Sequence, residues 1–277
     1  MASFAPLQIR TMKRFAWLTD IHLNFLPIDE VDRFLANLAA ERLDGVLLGG
    51  DIAEAIDLCE YLERLDERLE LEVYFVLGNH DYYGGWVELV REQVRRLCAA
   101  RPRLHYLTDS GSFGLARAVG LIGHDGWADA RLGDYEKSVV SMQDFRLIGD
   151  FVGLGKAARL PRLHALGDEA GDHIRRVLPE ALGKFDEVVL LTHVPPLREA
   201  CWHEGKTSDD DWAPFFTCRA LGDAILAVMT DHPQKRLTVL CGHTHGSGVA
   251  HPLPNVEILT GGATYGRPTV QRVFEWD

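Results

Sequence analysis

The sequence predicts an α/β protein whose sheet is mainly parallel, and three observations carry that reading. Val73-Tyr74-Phe75-Val76-Leu77 is an unbroken apolar run that stops in Gly78-Asn79-His80-Asp81. A strand covered on both faces reads as continuous apolar sequence, whereas Asn, His and Asp are poor core material. Such runs alternate with amphipathic helical patterns, as βαβ units do. The same polar ending also recurs strand after strand, and in open α/β sheets ligands sit at the carboxyl ends of the strands.

Taken in order, Arg14-Phe15-Ala16-Trp17-Leu18-Thr19 reads as the first strand and runs into Asp20-Ile21-His22. Val31, Phe34, Leu35, Leu38, Ala39 and Leu43 then share one helical face, with Asp29 and Glu30 suited to the first turn. Val46-Leu47-Leu48 is the second strand and breaks at Gly49-Gly50-Asp51. A second helix turns Ala55, Leu58, Cys59, Leu62, Leu65 and Leu69 inward before the Val73 strand, and a third carries Trp86, Leu89, Val90, Val94, Leu97 and Cys98 on one face. Three shorter strands are expected at 105–107, 113–115 and 118–123, the last ending in His124-Asp125-Gly126-Trp127. Residues 127–184 are charged and weakly periodic, with a helix expected over 168–182, and read as a cap over the sheet edge. The core pattern resumes at 186–192 and ends in His193-Val194-Pro195-Pro196. The stretch 197–217 is a long loop rich in Trp, Asp and Pro, a second cap-like insertion. The helix of Leu221, Ile225 and Val228 leads to Leu237-Thr238-Val239-Leu240-Cys241, which ends in Gly242-His243-Thr244-His245-Gly246. The tail reads as antiparallel strands around Val249, 256–259 and 269–274.

The 277 residues, 47% of them hydrophobic, suffice for one large core, so a single domain over 14–277 is expected, with 1–13 a disordered extension. A net charge of −12 repels polyanions and argues against a broad nucleic-acid footprint. The five cysteines lie singly at Cys59, Cys98, Cys201, Cys218 and Cys241, so no pair forms a zinc knuckle or redox motif. Isolated thiols fit a reducing compartment. No apolar run reaches the roughly 20 residues of a membrane span, and no signal-peptide core precedes Lys13. A cytoplasmic location without membrane attachment is expected.

Five strands therefore end in Asp20/His22, Asp51, Asn79/His80, His193 and His243/His245. Singly each has an ordinary explanation: a helix cap, a turn residue, a hydrogen-bonded histidine. Gathered at one sheet edge, carboxylates and imidazoles need a counter-charge. Divalent transition metals such as Mn, Fe, Zn or Co suit nitrogen and oxygen donors without thiolate. Seven ligands exceed one tetrahedral site and fit two ions sharing a carboxylate. Such a pair lowers the pKa of a shared water, making a bridging hydroxide the nucleophile, and clamps an in-line displacement at phosphorus.

Asp20-Ile21-His22, Gly50-Asp51, Gly78-Asn79-His80-Asp81, His193 and Gly242-His243-Thr244-His245 resemble, in order, the five-block signature of the calcineurin-like metallophosphoesterases. Ile52-Ala53-Glu54-Ala55 after Asp51, and Asp81 in the last place of the Asn-His block, depart from the protein-phosphatase branch. The resemblance implies a four-layer αββα sandwich, two mixed sheets face to face with helices outside and a metal site at the strand carboxyl ends. It implies Asp20, His22 and His245 on one metal, Asn79, His193 and His243 on the other, and Asp51 bridging. His80 is then no ligand but contacts the scissile phosphate and protonates the leaving oxygen.

Around this centre the sequence offers paired readings. Glu54 either orients His80 or is a first-turn helix residue. His124 and Asp125 are substrate contacts or structural residues. Trp202, His203 and Trp212 are candidates for a pocket wall, and Asp209-Asp210-Asp211 for a solvated run. The expected function is hydrolysis of a small-molecule phosphomonoester or phosphodiester. The alternatives are a metal-binding scaffold without turnover and a nuclease, the latter disfavoured by the negative charge. Oligomeric state is not legible.

Overall fold

The computed structural model describes residues 12–277, so that nearly all of the expected extension, 1–13, lies outside the described residues. The first half alternates strand and helix: β1 (Lys13–Leu18), α1 (Ile28–Ala39), β2 (Gly45–Gly49), α2 (Leu58–Leu69), β3 (Glu72–Val76), α3 (Val87–Ala100) and β4 (Leu104–Tyr106). β1 to β4 lie side by side and parallel. Then come β5 (Phe113–Ala116), β6 (Val119–His124), α4 (Asp144–Leu147), α5 (Lys156–Leu182), β7 (Glu187–Thr192), β8 (Trp202–His203), β9 (Lys206–Thr207), α6 (Ala213–Phe216), α7 (Arg219–Thr230), β10 (Arg236–Cys241), β11 (Gly248–Leu253), β12 (Val256–Thr260) and β13 (Arg272–Trp276). β13 returns to pair antiparallel with β1, giving a sheet of order β13-β1-β2-β3-β4. The second sheet has the order β11-β12-β10-β7-β6-β5, and β8 and β9 form a small hairpin.

Alternation along these strands explains the layering, because successive side chains point to opposite faces. Phe15 and Trp17 of β1, Leu47 of β2, and Tyr74 and Val76 of β3 pack with Leu121, Val189, Leu191 and Leu240 of the second sheet. The intervening Ala16, Leu18, Val46, Leu48, Val73 and Phe75 pack instead under α1, α2 and α3. On the far side Val188, Leu190, Val239 and Ile258 meet α5 and α7. Both faces of both sheets are thus buried, which is why the strands read as continuous apolar runs. The result is the expected αββα sandwich of two mixed sheets.

Two expectations differ from the structure. The tail is not wholly antiparallel: β12 runs parallel to β10, since β11 returns one position further out and β12 fills the gap between them. The helix expected at 168–182 begins at Lys156 and carries Pro161. Proline and Gly167 depress local helix propensity, and burial of Leu163, Ala170, Ile174, Val177 and Leu178 overrides it. α5 packs along α7 and β6 as an outer layer, and its His173 reaches His124 at the end of β6, while Ser141, Met142 and Gln143 of the same stretch line the cavity at the strand ends. Among the described residues no helix is long and apolar enough to cross a membrane, and all five cysteines are free.

One buried carboxylate fastens the first sheet to the second. Asp125, at the end of β6, is wholly buried and accepts the Leu77 N–H at 2.8 Å, Thr108 Oγ1 at 2.7 Å, and the hydroxyls of Tyr82 at 2.7 Å and Tyr106 at 2.5 Å. Arg91, also buried, supplies the counter-charge at 3.2 Å. Every partner on this list lies in the first-sheet half of the chain. Replacing Asp125 with Ala leaves the Arg91 charge and two tyrosine hydroxyls without this acceptor, so urea unfolding should show a loss of about 3–5 kcal/mol.

Candidate metal centre

The polar endings converge at the seam between the sheets. Asp20 and His22 follow β1, Asp51 follows β2, and Asn79 and His80 follow β3, whereas His193 follows β7 and His243 and His245 follow β10. Asp20, His22, Asp51, Asn79, His193 and His243 are buried, and His80 and His245 half-buried. Five of these residues take left-handed backbone: Asp20 (φ 51°), His22 (40°), Asp51 (52°), His243 (71°) and His245 (57°). Non-glycine residues are uncommon there and persist only where surrounding bonds impose the conformation.

Those bonds are visible. Asp20 N–H donates to Gly50 O at 3.0 Å and His22 N–H to Asp51 O at 2.9 Å, tying the first loop to the second. Asp81 accepts the N–H groups of Ile52 (2.8 Å), Ala53 (2.9 Å) and Gly78 (2.8 Å), tying the second to the third. Asp20 accepts His243 N–H at 2.9 Å across the seam. Two glycines allow the close approach, since a Cβ on Gly78 would strike Asp51 and one on Gly242 would strike Asp20.

Two donor groups result. Asp20, His22, Asp51 and His245 each present one ligand atom, all within 4.8 Å of one another, an arrangement able to hold a metal ion. Beside them stand Asn79, His193 and His243. His193 Nδ1 donates to Gly49 O at 2.9 Å and His243 Nε2 to Phe215 O at 2.9 Å, which leaves His193 Nε2 and His243 Nδ1 as bare lone pairs when the rings are neutral. Asn79 donates through Nδ2 to Asp144 Oδ1 at 2.9 Å and Tyr83 Oη at 3.1 Å, so its Oδ1 faces the same point. Three acceptors therefore meet with His243 Nδ1 at 2.9 Å from Asn79 Oδ1 and 3.2 Å from His193 Nε2. Acceptors so placed repel unless a cation sits among them. Asp51 reaches both groups, with Oδ2 3.7 Å from His22 Nε2 and Oδ1 3.4 Å from His193 Nε2.

Burial dominates the electrostatics. It raises the Asp20 carboxyl to about 7 and Asp51 well above the carboxylate range, with neighbouring Asp20 adding to the rise at Asp51. It lowers His22 to about 2, His80 to about 3 and His245 to about 4, and holds His193 well below the usual imidazole value. The histidines are thus neutral, the form that ligates metal, while the carboxylates lack a positive partner. The donor set fits divalent transition metals.

His80 stands at the rim of a cavity of about 300 Å³ that Asp51, Asn79, His243 and His245 also line. Its ring packs on Tyr83 at 4.3 Å, and its Nε2 lies 3.4 Å from the Tyr265 hydroxyl. His80 Nδ1 is buried with no hydrogen-bond partner, so Glu54 does not orient it; Glu54 sits instead in the turn before α2, with its N–H on Asp57. His124 lies elsewhere, in a separate hollow with Glu169 and His173, and Asp125 is the fastening described above. Both take the structural reading. His203 and Trp212 line the cavity; Trp202 does not. The acidic run divides, with Asp209 accepting the Trp212 N–H and Asp210 pairing with Arg198. Asp144, Tyr83 and Tyr265 were not singled out from sequence. Asp144 lies in the weakly periodic stretch, 65 residues from the Asn79 it orients.

The profile of the calcineurin-like phosphoesterase family matches residues 13–247. No curated protein sequence matches the chain. Among solved structures, a phosphopantetheinyl hydrolase from Mycobacterium tuberculosis is similar at 14% identity, with a TM-score of 0.62 over 91% of this chain and 90% of that one. A dimetal phosphatase from Danio rerio is similar at 16% identity, with a TM-score of 0.54 over 90% of this chain and 87% of that one. Because the family match spans most of the 277 residues, the chain belongs to the calcineurin-like phosphoesterases and is a metal-dependent phosphoester hydrolase.

Proposed function

We propose that the chain hydrolyses a small-molecule phosphoester at two divalent transition-metal ions, with Asp20, His22 and His245 holding one, Asn79, His193 and His243 the other, and Asp51 shared. The observation that carries the reading is the meeting of Asn79 Oδ1, His193 Nε2 and His243 Nδ1 with no hydrogen between them. Bound ions would supply Lewis acidity, acidifying water at neutral pH and neutralising charge on the phosphoryl oxygens. Mn, Fe, Zn and Co all suit these donors.

The chain's own groups do the rest. Asp144 and Tyr83 fix the Asn79 amide so that oxygen, not nitrogen, faces the centre. Gly49 and Phe215 fix the tautomers of His193 and His243 by accepting their outer N–H groups. His80 lines the cavity beside Asp51 and Asn79, where an anionic substrate would favour its imidazolium; that form would take its proton from solvent water and give it to the departing oxygen. The nuclease alternative gains nothing, since among the described residues the cavity lining includes no Lys or Arg to track a nucleic-acid backbone.

Metal-loaded protein should release nitrophenol from p-nitrophenyl phosphate or its bis ester, lose that activity to a chelator and regain it with Mn, Fe, Zn or Co; silence with all four metals sinks the proposal. Asp51→Ala should empty both sites, and elemental analysis finding two metals per chain would contradict the shared role. His80→Ala should keep its metal while turnover falls about 10²–10⁴-fold. Loss of metal in that variant would make His80 a ligand.

A further inference from the structure

The cavity above the centre is unusual for a phosphate site in what it lacks. Apart from the histidines, its charged lining is the single carboxylate of Asp51, and among the described residues no Lys or Arg contributes to it. The remaining wall is neutral, aromatic in part and otherwise formed by Ser141, Met142, Gln143 and Thr244. Trp212 stacks on Phe216 with ring centroids 5.0 Å apart and planes at 23°. His203 packs against Trp212 at 5.3 Å, and Phe216 stands edge-on to His243 at 5.2 Å, so the wall runs directly down to the donor cluster. Across the cavity Tyr265 covers His22 at 4.6 Å and His245 at 4.9 Å.

This wall is built rather than draped. The Trp212 N–H donates to Asp209, Ser138 Oγ donates to Asp211 O at 2.8 Å, and the Asp134 N–H donates to Asp210 O at 2.8 Å. The His203 Nδ1–H donates to Thr244 O at 3.3 Å, fixing the hairpin of β8 and β9 to the loop that carries His243 and His245.

Charge and shape select between ester classes. A phosphomonoester carries about −1.5 to −2 charges at pH 7, and proteins usually meet such a group with arginine or lysine. A phosphodiester carries one charge, which bound metal can answer alone, and it has a second substituent needing an apolar surface. Planar rings stack on aromatic side chains whatever their ring substituents. At about 300 Å³ the cavity lies at the small end of ligand pockets and suits a compact group beside the phosphate.

Resting on the phosphoesterase reading of the site, we infer that its substrates are small phosphodiesters bearing a planar aromatic group, which stacks on the Trp212–Phe216 wall. Hydrolysis consumes one water. Its oxygen bonds to phosphorus as the P–O bond to one ester group breaks, the departing alcohol takes one proton, and the other is released as the monoester product ionises. That product is the doubly charged class for which the wall has no cation, so it leaves without a second cleavage.

The test compares metal-loaded protein on bis-p-nitrophenyl phosphate and p-nitrophenyl phosphate, and titrates it calorimetrically with diphenyl phosphate and phenyl phosphate. The diester should have the higher kcat/KM, and diphenyl phosphate should bind more tightly than phenyl phosphate. Trp212→Ala should weaken diphenyl phosphate about tenfold with metal content unchanged, and Trp212→Phe should restore most of the loss. A higher kcat/KM on the monoester, or unaltered diphenyl phosphate affinity in Trp212→Ala, overturns the inference and leaves the phosphoesterase reading standing. Hydrolysis of neither ester with any of the four metals removes both. The comparison of esters on the unaltered protein stands even if Trp212→Ala fails to fold.

Discussion

Electron pairs crowded together without protons to separate them are the constraint around which this molecule is arranged. His193, His243 and Asn79 each have their outer polar atom occupied by a fixed partner, so their inner atoms have no freedom to turn away. Water in the cavity that Asn79 and His243 line could offer these atoms two hydrogens, but no charge to offset the Asp51 carboxylate beside them. Burial and orientation together leave a positive ion as the natural occupant. The carboxyls of Asp20 and Asp51, pushed upward by the same burial, express the same deficit in another form.

Maintaining that arrangement requires backbone geometry that isolated segments would refuse. The left-handed residues Asp20, His22, Asp51, His243 and His245 are held by bonds between loops rather than within them. The Gly50 and Asp51 carbonyls hold the first loop, Asp81 ties the second loop to the third through the Ile52 and Ala53 amides, and Asp20 reaches the His243 amide on the other side of the seam. The strain is local and the restraint is distributed, as expected where a site overrides the preferences of its own sequence.

What was legible in the sequence divides along the same line. Strands and helices of the first half could be read because both faces of each strand are buried and each helix has one apolar stripe, so local pattern and tertiary role agree. The residues at the strand ends could be read because polar groups there contradict the apolar runs before them. Asp144, Asp125 and the Tyr265 loop could not, since their roles rest on partners far away in the chain: 65 residues for Asp144 to Asn79 and 48 for Asp125 to Leu77. The direction of β12 was hidden for a related reason, because its partner is decided by where β11 leaves a gap. Helix α5 was underestimated because its proline and glycine speak against helix locally while packing on α7 speaks for it.

The division of the donor cluster between sheets also has a mechanical outcome. Asp20, His22, Asp51 and Asn79 hang from one sheet, and His193, His243 and His245 from the other. An ion held as proposed would bind the docked pair more tightly than either half, and so would act as a clasp. By mass action it would strengthen the apolar contact of Trp17, Leu47, Leu191 and Leu240 without touching those residues. Slippage of one layer past the other by a bond length or so would open the clasp, which makes cation occupancy a gauge of whether the sandwich is closed.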